Sequence, residues 1–483
     1  MNPQNLLFIL SDEHQRDIAG CYGNGLVRTP NLDALAGRGT RFTDAYTPSP
    51  ICVPARASLA TGRHVFETGN WDNAHPYHGE NPSWHHRLRD AGRQAVSIGK
   101  LHFRSADDDN GFSEEIVPLH VLDGVGDLLG LIRNPPSPRG NMPALARDAG
   151  PGESGYTRYD RAIADAACGW LKDKGRKRGE QPWALFVSFV VPHFPLIAPQ
   201  HFYDLYPAEK IPLPRLYRPE DRPDHPALAA LRACMNYDDY FDEDSIRRAI
   251  ASYYGLVSFL DFSIGRVLAA LEESGLTDDT RVIYASDHGD NLGARGLWGK
   301  SVMYQESVAV PLIVAGADVP KGHVCDTPVS LIDCFPSILE ATGVAPAEAD
   351  SDLAGRSLWA IANGERPERA ILSEYHAAGS VTGTFMIRHG KWKYVHYVGH
   401  RPQLFDLAAD PGETSDLATD PALASTLAEC ENQLRSICDP EAVSSRAFAD
   451  QARKLAEHGG IDGVVRRGDF GYTPAPGQSP AFA

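Results

Sequence analysis

Short apolar runs alternate with segments of helical periodicity along most of the chain, the pattern expected of helices packed around a sheet. Leu6–Leu10, Ala95–Ile98, Ala184–Val190, Arg281–Ala285, Leu312–Ala315 and Ala370–Ser373 read as strands. Most are apolar on both faces, as strands buried beneath two helical layers are. The clearest helix runs from about Ser245 to Ser274, where Ile246, Ile250, Tyr253, Val257, Leu260, Ile264, Val267 and Leu271 recur at three or four residues. Asp244 is placed to cap its start and Gly275 its end. At about 30 residues it is long for a globular domain, so a bend is expected near Gly255 or Gly265.

Two stretches break this rhythm. Ala106–Ser154 and Ala198–Asp244 are rich in Pro, Gly and Asp. Loops of that length are uncommon unless functional or disordered, and these are expected to wall a cleft. After about Gly379 the texture changes again. Met386–Val395 and Gln403–Leu407 suggest short antiparallel strands, Leu423–Ile437 and Ser445–His458 helices, and Phe470–Ala483 a Pro/Gly-rich tail. The 483 residues exceed one ordinary core. The expected division is a catalytic domain, residues 1–378, and a smaller α+β domain, residues 379–483. No internal repeat is visible.

Composition narrows the classes. With 42% hydrophobic and 23% charged residues the chain reads as soluble and globular. A net charge of −17 disfavours nucleic acid as a partner. It leaves room for an anionic substrate in a locally basic cleft. The run Leu6–Leu10 is far shorter than the ~20 residues of a membrane span, so no membrane association is expected. It also lacks the features of a signal peptide and reads as a first buried strand. The eight cysteines (21, 52, 168, 234, 325, 334, 430, 438) form no CxxC pair. Reduced thiols in a cytoplasm are therefore expected, with Cys325–Cys334 and Cys430–Cys438 the pairs able to close a disulfide.

Candidate chemistry gathers at strand ends. Asp12-Glu13 and Asp287-His288 each follow a strand, and sites in parallel sheets lie beyond the strands' carboxyl ends. These four residues are candidate ligands for one divalent ion. Carboxylates favour Ca²⁺, Mg²⁺ or Mn²⁺, and the imidazole tilts the choice towards Mn²⁺. In Cys52-x-Pro54-x-Arg56, Pro54 suits a helix's first turn, which puts residue 52 at or near the N-cap, where an anion is favoured. Arg56, one turn on, offers a planar fork to an anion. Trp71 and Asn73 follow this helix as candidate substrate contacts, the indole for a sugar or aryl ring or a quaternary ammonium. Gly293–Ser301 suggests a phosphate loop, but Ala294 stands where that motif needs glycine, and the reading is rejected.

The run Cys52-x-Pro54-x-Arg56 with Thr61-Gly62 resembles the signature of type I sulfatases in the alkaline phosphatase superfamily. The likeness extends in order through Leu6–His14, Thr29–Asp33, Ile98–His102, Val191–Pro195, Ser286–Asp290, Gly390–Tyr394 and Leu404–Leu407. Arylsulfatase, choline-sulfatase-like and phosphonate-monoester-hydrolase-like members are the nearest in feel. The resemblance implies an α/β, alkaline-phosphatase-like, mostly parallel sheet between helices. It implies that a formylglycine-generating system oxidises Cys52 to formylglycine. One hydroxyl of the metal-bound hydrate then attacks sulfur, and the other collapses to the aldehyde and expels sulfate. Arg56, Lys100, His102, His193 and Lys300 match the family's catalytic positions. One histidine protonates the leaving oxygen and the other serves aldehyde regeneration, and the sequence leaves open which. Ca²⁺ is the ion the family favours, with Mn²⁺ and Mg²⁺ as alternatives. Glu13 and His288 depart from the usual Asp-Asp and Asp-Asn pairs, although some relatives share the late histidine.

The activity so implied is hydrolysis of a small organic sulfate ester of aryl, choline or sugar type. Two alternatives stand beside it. One is a phosphonate monoester hydrolase or phosphodiesterase on the same fold; the pair Lys100-x-His102 leans against it. The other is a noncatalytic metal-binding relative, which would have lost the nucleophile, the arginine or a ligand. The C-terminal helices and tail further imply a homo-oligomer, dimer or tetramer, since such tails in relatives reach across subunits.

Overall fold

Eight strands form the central sheet of the computed structural model, which describes residues 3–176 and 181–482. Their spatial order is His323–Cys325, Gly39–Phe42, Leu312–Ala315, Thr280–Ser286, Asn5–Asp12, Trp183–Pro192, Gln94–Lys100 and Glu114–Leu119. Only Leu312–Ala315 runs antiparallel to its neighbours, so the sheet is mixed and mostly parallel, as expected. The central strand shows why its sequence does not alternate. Leu7 and Ile9 enter one hydrophobic core, while Leu6, Phe8 and Leu10 enter another on the opposite face. All five are fully buried. Each contributes roughly 1.5–3 kcal/mol relative to exposure.

The long helix spans Glu243–Glu273 and lays Ile250, Tyr253, Val257, Leu260 and Ile264 into the first core. It is apolar and long enough to cross a membrane, but most of that stretch is buried inside the fold. Its cap is Asp242 rather than Asp244: the Asp242 side chain accepts the amide of Ser245 at 2.8 Å. The helix runs unbroken through both Gly255 and Gly265. A Cβ at Gly255 would lie 2.9 Å from that of Ala198, and one at Gly265 would lie 2.4 Å from Oδ1 of Asn31. These glycines serve close approach of neighbouring segments rather than flexibility.

Ile371–Tyr375, Thr384–His389, Trp392–Tyr397 and Gln403–Asp406 form a separate antiparallel meander. The strand expected at Ala370–Ser373 thus belongs to the C-terminal sheet, which begins ahead of residue 379. Helices Ala424–Ile437 and Pro440–Glu457 follow, and then Gly460–Arg467, which sequence periodicity did not reveal. All eight cysteines are unpaired, Cys325, Cys334, Cys430 and Cys438 included.

Candidate active site

Register brings the two acidic motifs together. Asn5–Asp12 and Thr280–Ser286 are parallel neighbours with Ser11 opposite Ser286, so Asp12 and Asp287 leave the sheet side by side. Lys100 ends the strand Gln94–Lys100, and His193 follows Trp183–Pro192 at the same edge. Cys52 opens the buried helix Cys52–Thr61, with extended Ile51 as its N-cap. The Oδ1 of Asn73 accepts the amide of Val53 at 3.1 Å, which secures that helix start.

At the centre, Sγ of Cys52 lies 3.1 Å from Nε2 of His288 and 3.6 Å from Oδ1 of Asp12. The His288 Nε2 is 3.7 Å from Oδ1 of Asp287 and 3.8 Å from Oδ1 of Asp12. Its Nδ1 lies 3.1 Å from the carbonyl oxygen of Gly289. A hydrogen donated there leaves the Nε2 lone pair facing the carboxylates, the arrangement found around metal-ligating histidines. Two carboxylates, one imidazole and residue 52 therefore form a buried set whose ligand atoms lie within 4.8 Å of one another. Mixed oxygen and nitrogen donors of this kind fit a divalent cation.

Glu13 does not join that set. Its backbone is left-handed (φ 69°), and its Oε2 lies 2.7 Å from Nζ of Lys300 and 3.3 Å from Nε2 of His193. The left-handed turn swings the carboxylate to the cationic side of the site. Arg56 also differs from expectation. Its Nε donates to Asp287 (2.8 Å), Nη2 to Asp12 (3.1 Å), and Nη1 to the Lys100 carbonyl (2.8 Å) and Ser188 (2.9 Å). The guanidinium holds the carboxylates from behind and takes no part in lining the cavity. Lys100 pairs with Asp12.

The field follows from these contacts. Burial pushes the Asp12 carboxyl up, but Lys100, His193, Arg56 and His288 overcome it and hold the group well below the usual range. Burial raises Glu13 well above its ordinary value, against the opposing pull of Lys300. Burial, with Lys300 for His193 and Lys100 for His102, pushes both imidazoles down. Burial and Asp12 push the Cys52 thiol up to about 11.

A cavity of about 430 Å³ opens over the site, and Cys52, Asn73, Lys100, His102, His193 and Lys300 all line it. Both stretches expected as loops contribute walls, though they hold the helices Met142–Arg147 and Pro226–Met235: Arg139 and Leu145 come from one, Leu231 and Tyr237 from the other. Trp71 does not line the cavity. It is fully buried against the C-terminal unit, in a cluster with Val65, Leu372 and Phe385. The indole donates instead to Asp450 at 2.9 Å, while Asn73 lines the cavity. Sequence reasoning missed Tyr156 and the tail residues Asp469–Thr473, which also line it. The tail packs against the chain, with Thr473 Oγ1 2.9 Å from His102 Nε2. No motif marks those positions.

A carboxylate pair at adjacent strand ends, a helix-borne residue 52 between them and lysines and histidines around a cavity define an alkaline-phosphatase-superfamily hydrolase. The Sulfatase family profile matches residues 4–344, and the profile "N-sulphoglucosamine sulphohydrolase, C-terminal" matches residues 293–439. The chain is 33% identical over 468 residues to choline-sulfatase of Rhizobium meliloti (strain 1021), covering 93% of this chain and 90% of that protein. It is 29% identical over 480 residues to arylsulfatase K of Danio rerio, covering 94% and 87%. In fold it is similar to the phosphonate monoester hydrolase of Agrobacterium radiobacter, with TM-score 0.71, 24% identity and coverage of 92% and 96%. The chain belongs to the sulfatase family and is a sulfuric ester hydrolase.

Proposed function

We propose that this sulfatase cleaves a small organic sulfate ester through a formylglycine made from Cys52, beside a divalent cation held by Asp12, Asp287 and His288. One observation carries the reading: Sγ of Cys52 faces Asp12 and His288 at the start of a helix, inside the cavity that the two lysines and two histidines line. That sulfur stands where an oxygen of the converted side chain would lie. The cation supplies Lewis-acid polarisation and eases deprotonation of a neighbouring oxygen acid. Ca²⁺ suits the carboxylates and Mn²⁺ the added imidazole. A volume of about 430 Å³ suits a small molecule.

The chain's own groups divide the remaining work. Lys100 and Lys300 face the charge that develops on the transferring group and leaving oxygen. His193 donates Nδ1–H to the Phe194 carbonyl at 2.7 Å, which leaves Nε2 beside Glu13. Burial pushes the Glu13 carboxyl up, against the pull of Lys300, and the His193 imidazole down, and the two groups stand close enough to exchange a proton. That pair is the source of the proton for the departing alcohol. His102 is left for return of residue 52 to the aldehyde. Maturation requires a formylglycine-generating partner.

Peptide mass spectrometry and a substrate panel test this. The peptide holding residue 52 should weigh about 18 Da less than its cysteine form, whereas the thiol oxidation ladder adds mass. Choline sulfate and 4-nitrophenyl sulfate should exceed an aryl phosphonate monoester in kcat/KM, and Cys52→Ala should turn over none of them. Full activity in a preparation with wholly unconverted Cys52 would sink the mechanism, and a phosphonate preference would sink the substrate class.

A further inference from the structure

We propose that Thr473, in the C-terminal tail, is a positioning residue for His102. The inference rests on Cys52 as the reacting residue for its kinetic readouts, but its geometry stands alone. Asp469 anchors the tail: it accepts from the amides of Asn141 (3.2 Å) and Gly471 (3.0 Å) and pairs with Arg139 (3.4 Å). Tyr156 then donates its hydroxyl to the Thr473 carbonyl at 2.5 Å. Tyr472 packs edge-on against Tyr156 and Phe194, with ring centroids 5.3 and 5.9 Å away. These ties present the Thr473 hydroxyl to His102 Nε2 at 2.9 Å.

His102 needs such a partner. Its backbone is held left-handed (φ 59°), with its amide bonded to the Leu119 carbonyl at 2.8 Å. A non-glycine residue in that region persists only where its surroundings over-determine it, and such residues cluster at working sites. One ring nitrogen is committed to Thr473. The other, Nδ1, is buried with no partner among the described residues. In a neutral imidazole one nitrogen donates and the other accepts. The Thr473 hydroxyl can donate or accept, so it serves either tautomer; what it fixes is the ring angle of His102, and with it the direction in which Nδ1 faces.

The test is Thr473→Val, which keeps shape and removes the hydroxyl, beside Thr473→Ser, which keeps the hydroxyl. Valine should lower kcat roughly 10-fold with KM nearly unchanged, the mark of an interaction that matters only in the transition state. Serine should restore kcat. In a His102→Gln background, Thr473→Val should cost nothing further, because both changes remove one interaction. The ring ¹⁵N resonance of His102, identified by its loss in His102→Gln, should move with valine and stay with serine. Additive losses, or an unmoved resonance, would overturn the proposal whether or not the protein proves to cleave sulfate esters. An inactive wild type with the resonance shift intact would instead count against Cys52 alone.

Discussion

Trp71→Ala separates a substrate wall from a structural core. The indole is fully buried among Val65, Leu372 and Phe385. Its Nε1–H donates to Asp450 at 2.9 Å, the Arg446 guanidinium lies 4.9 Å over its ring, and His376 meets it edge-on at 5.3 Å. Truncating a buried Trp to Ala costs about 3–5 kcal/mol. The Asp450 carboxylate is 23% exposed and regains water, so the lost hydrogen bond adds only about 0.5–1.5 kcal/mol. The total, about 3.5–6.5 kcal/mol, reaches the low end of the stability of a typical domain, about 5–15 kcal/mol. Trp71→Phe keeps most of the ring and should cost about 1–2 kcal/mol, largely the hydrogen bond. Urea unfolding followed by circular dichroism measures the loss. In parallel, kcat/KM for choline sulfate and 4-nitrophenyl sulfate is measured on folded variant, and the ratio should match the wild type. An alanine variant as stable as the wild type, or one whose ester preference shifts tenfold, would refute the reasoning.

Three further substitutions probe the ion site. Arg56→Met strands the carboxylates of Asp12 and Asp287, and breaking a buried pair costs about 3–5 kcal/mol; melts with and without Ca²⁺ should show a lower midpoint and a larger gain on adding the ion than in wild type. Equal melts would mean that the guanidinium is not what neutralises the two aspartates. His288→Ala should raise the metal concentration for half-maximal activity at least tenfold, since losing even an outer-shell partner costs about 10–100-fold. Glu13→Gln should leave that midpoint in place, because its carboxylate faces Lys300 and His193; the reverse order in chelate-and-readd titrations would exchange the two assignments.

Much of this was legible in the chain itself. The strand Asn5–Asp12 was readable because both its faces are buried, which turns alternation into a continuous apolar run. Asp12, Asp287 and His288 were readable because residues at the carboxyl ends of parallel neighbours share one edge. Other residues could not be placed that way. An indole at position 71 suits a substrate wall or a core equally, and nothing in the sequence says that Phe385 lies against it. The sign of φ at Glu13, which sends its carboxylate to Lys300, leaves no trace in residue type.

Residue order alone determined the class of protein: an apolar strand rhythm, two acidic strand ends and a Cys-x-Pro-x-Arg helix start are local features, each complete within a few positions of chain. Tertiary structure alone decided the roles. Arg56 acts from behind the carboxylates, and Thr473 meets His102 across 371 positions of chain. Such contacts depend on how distant segments pack in three dimensions, and one-dimensional spacing carries no term for that distance.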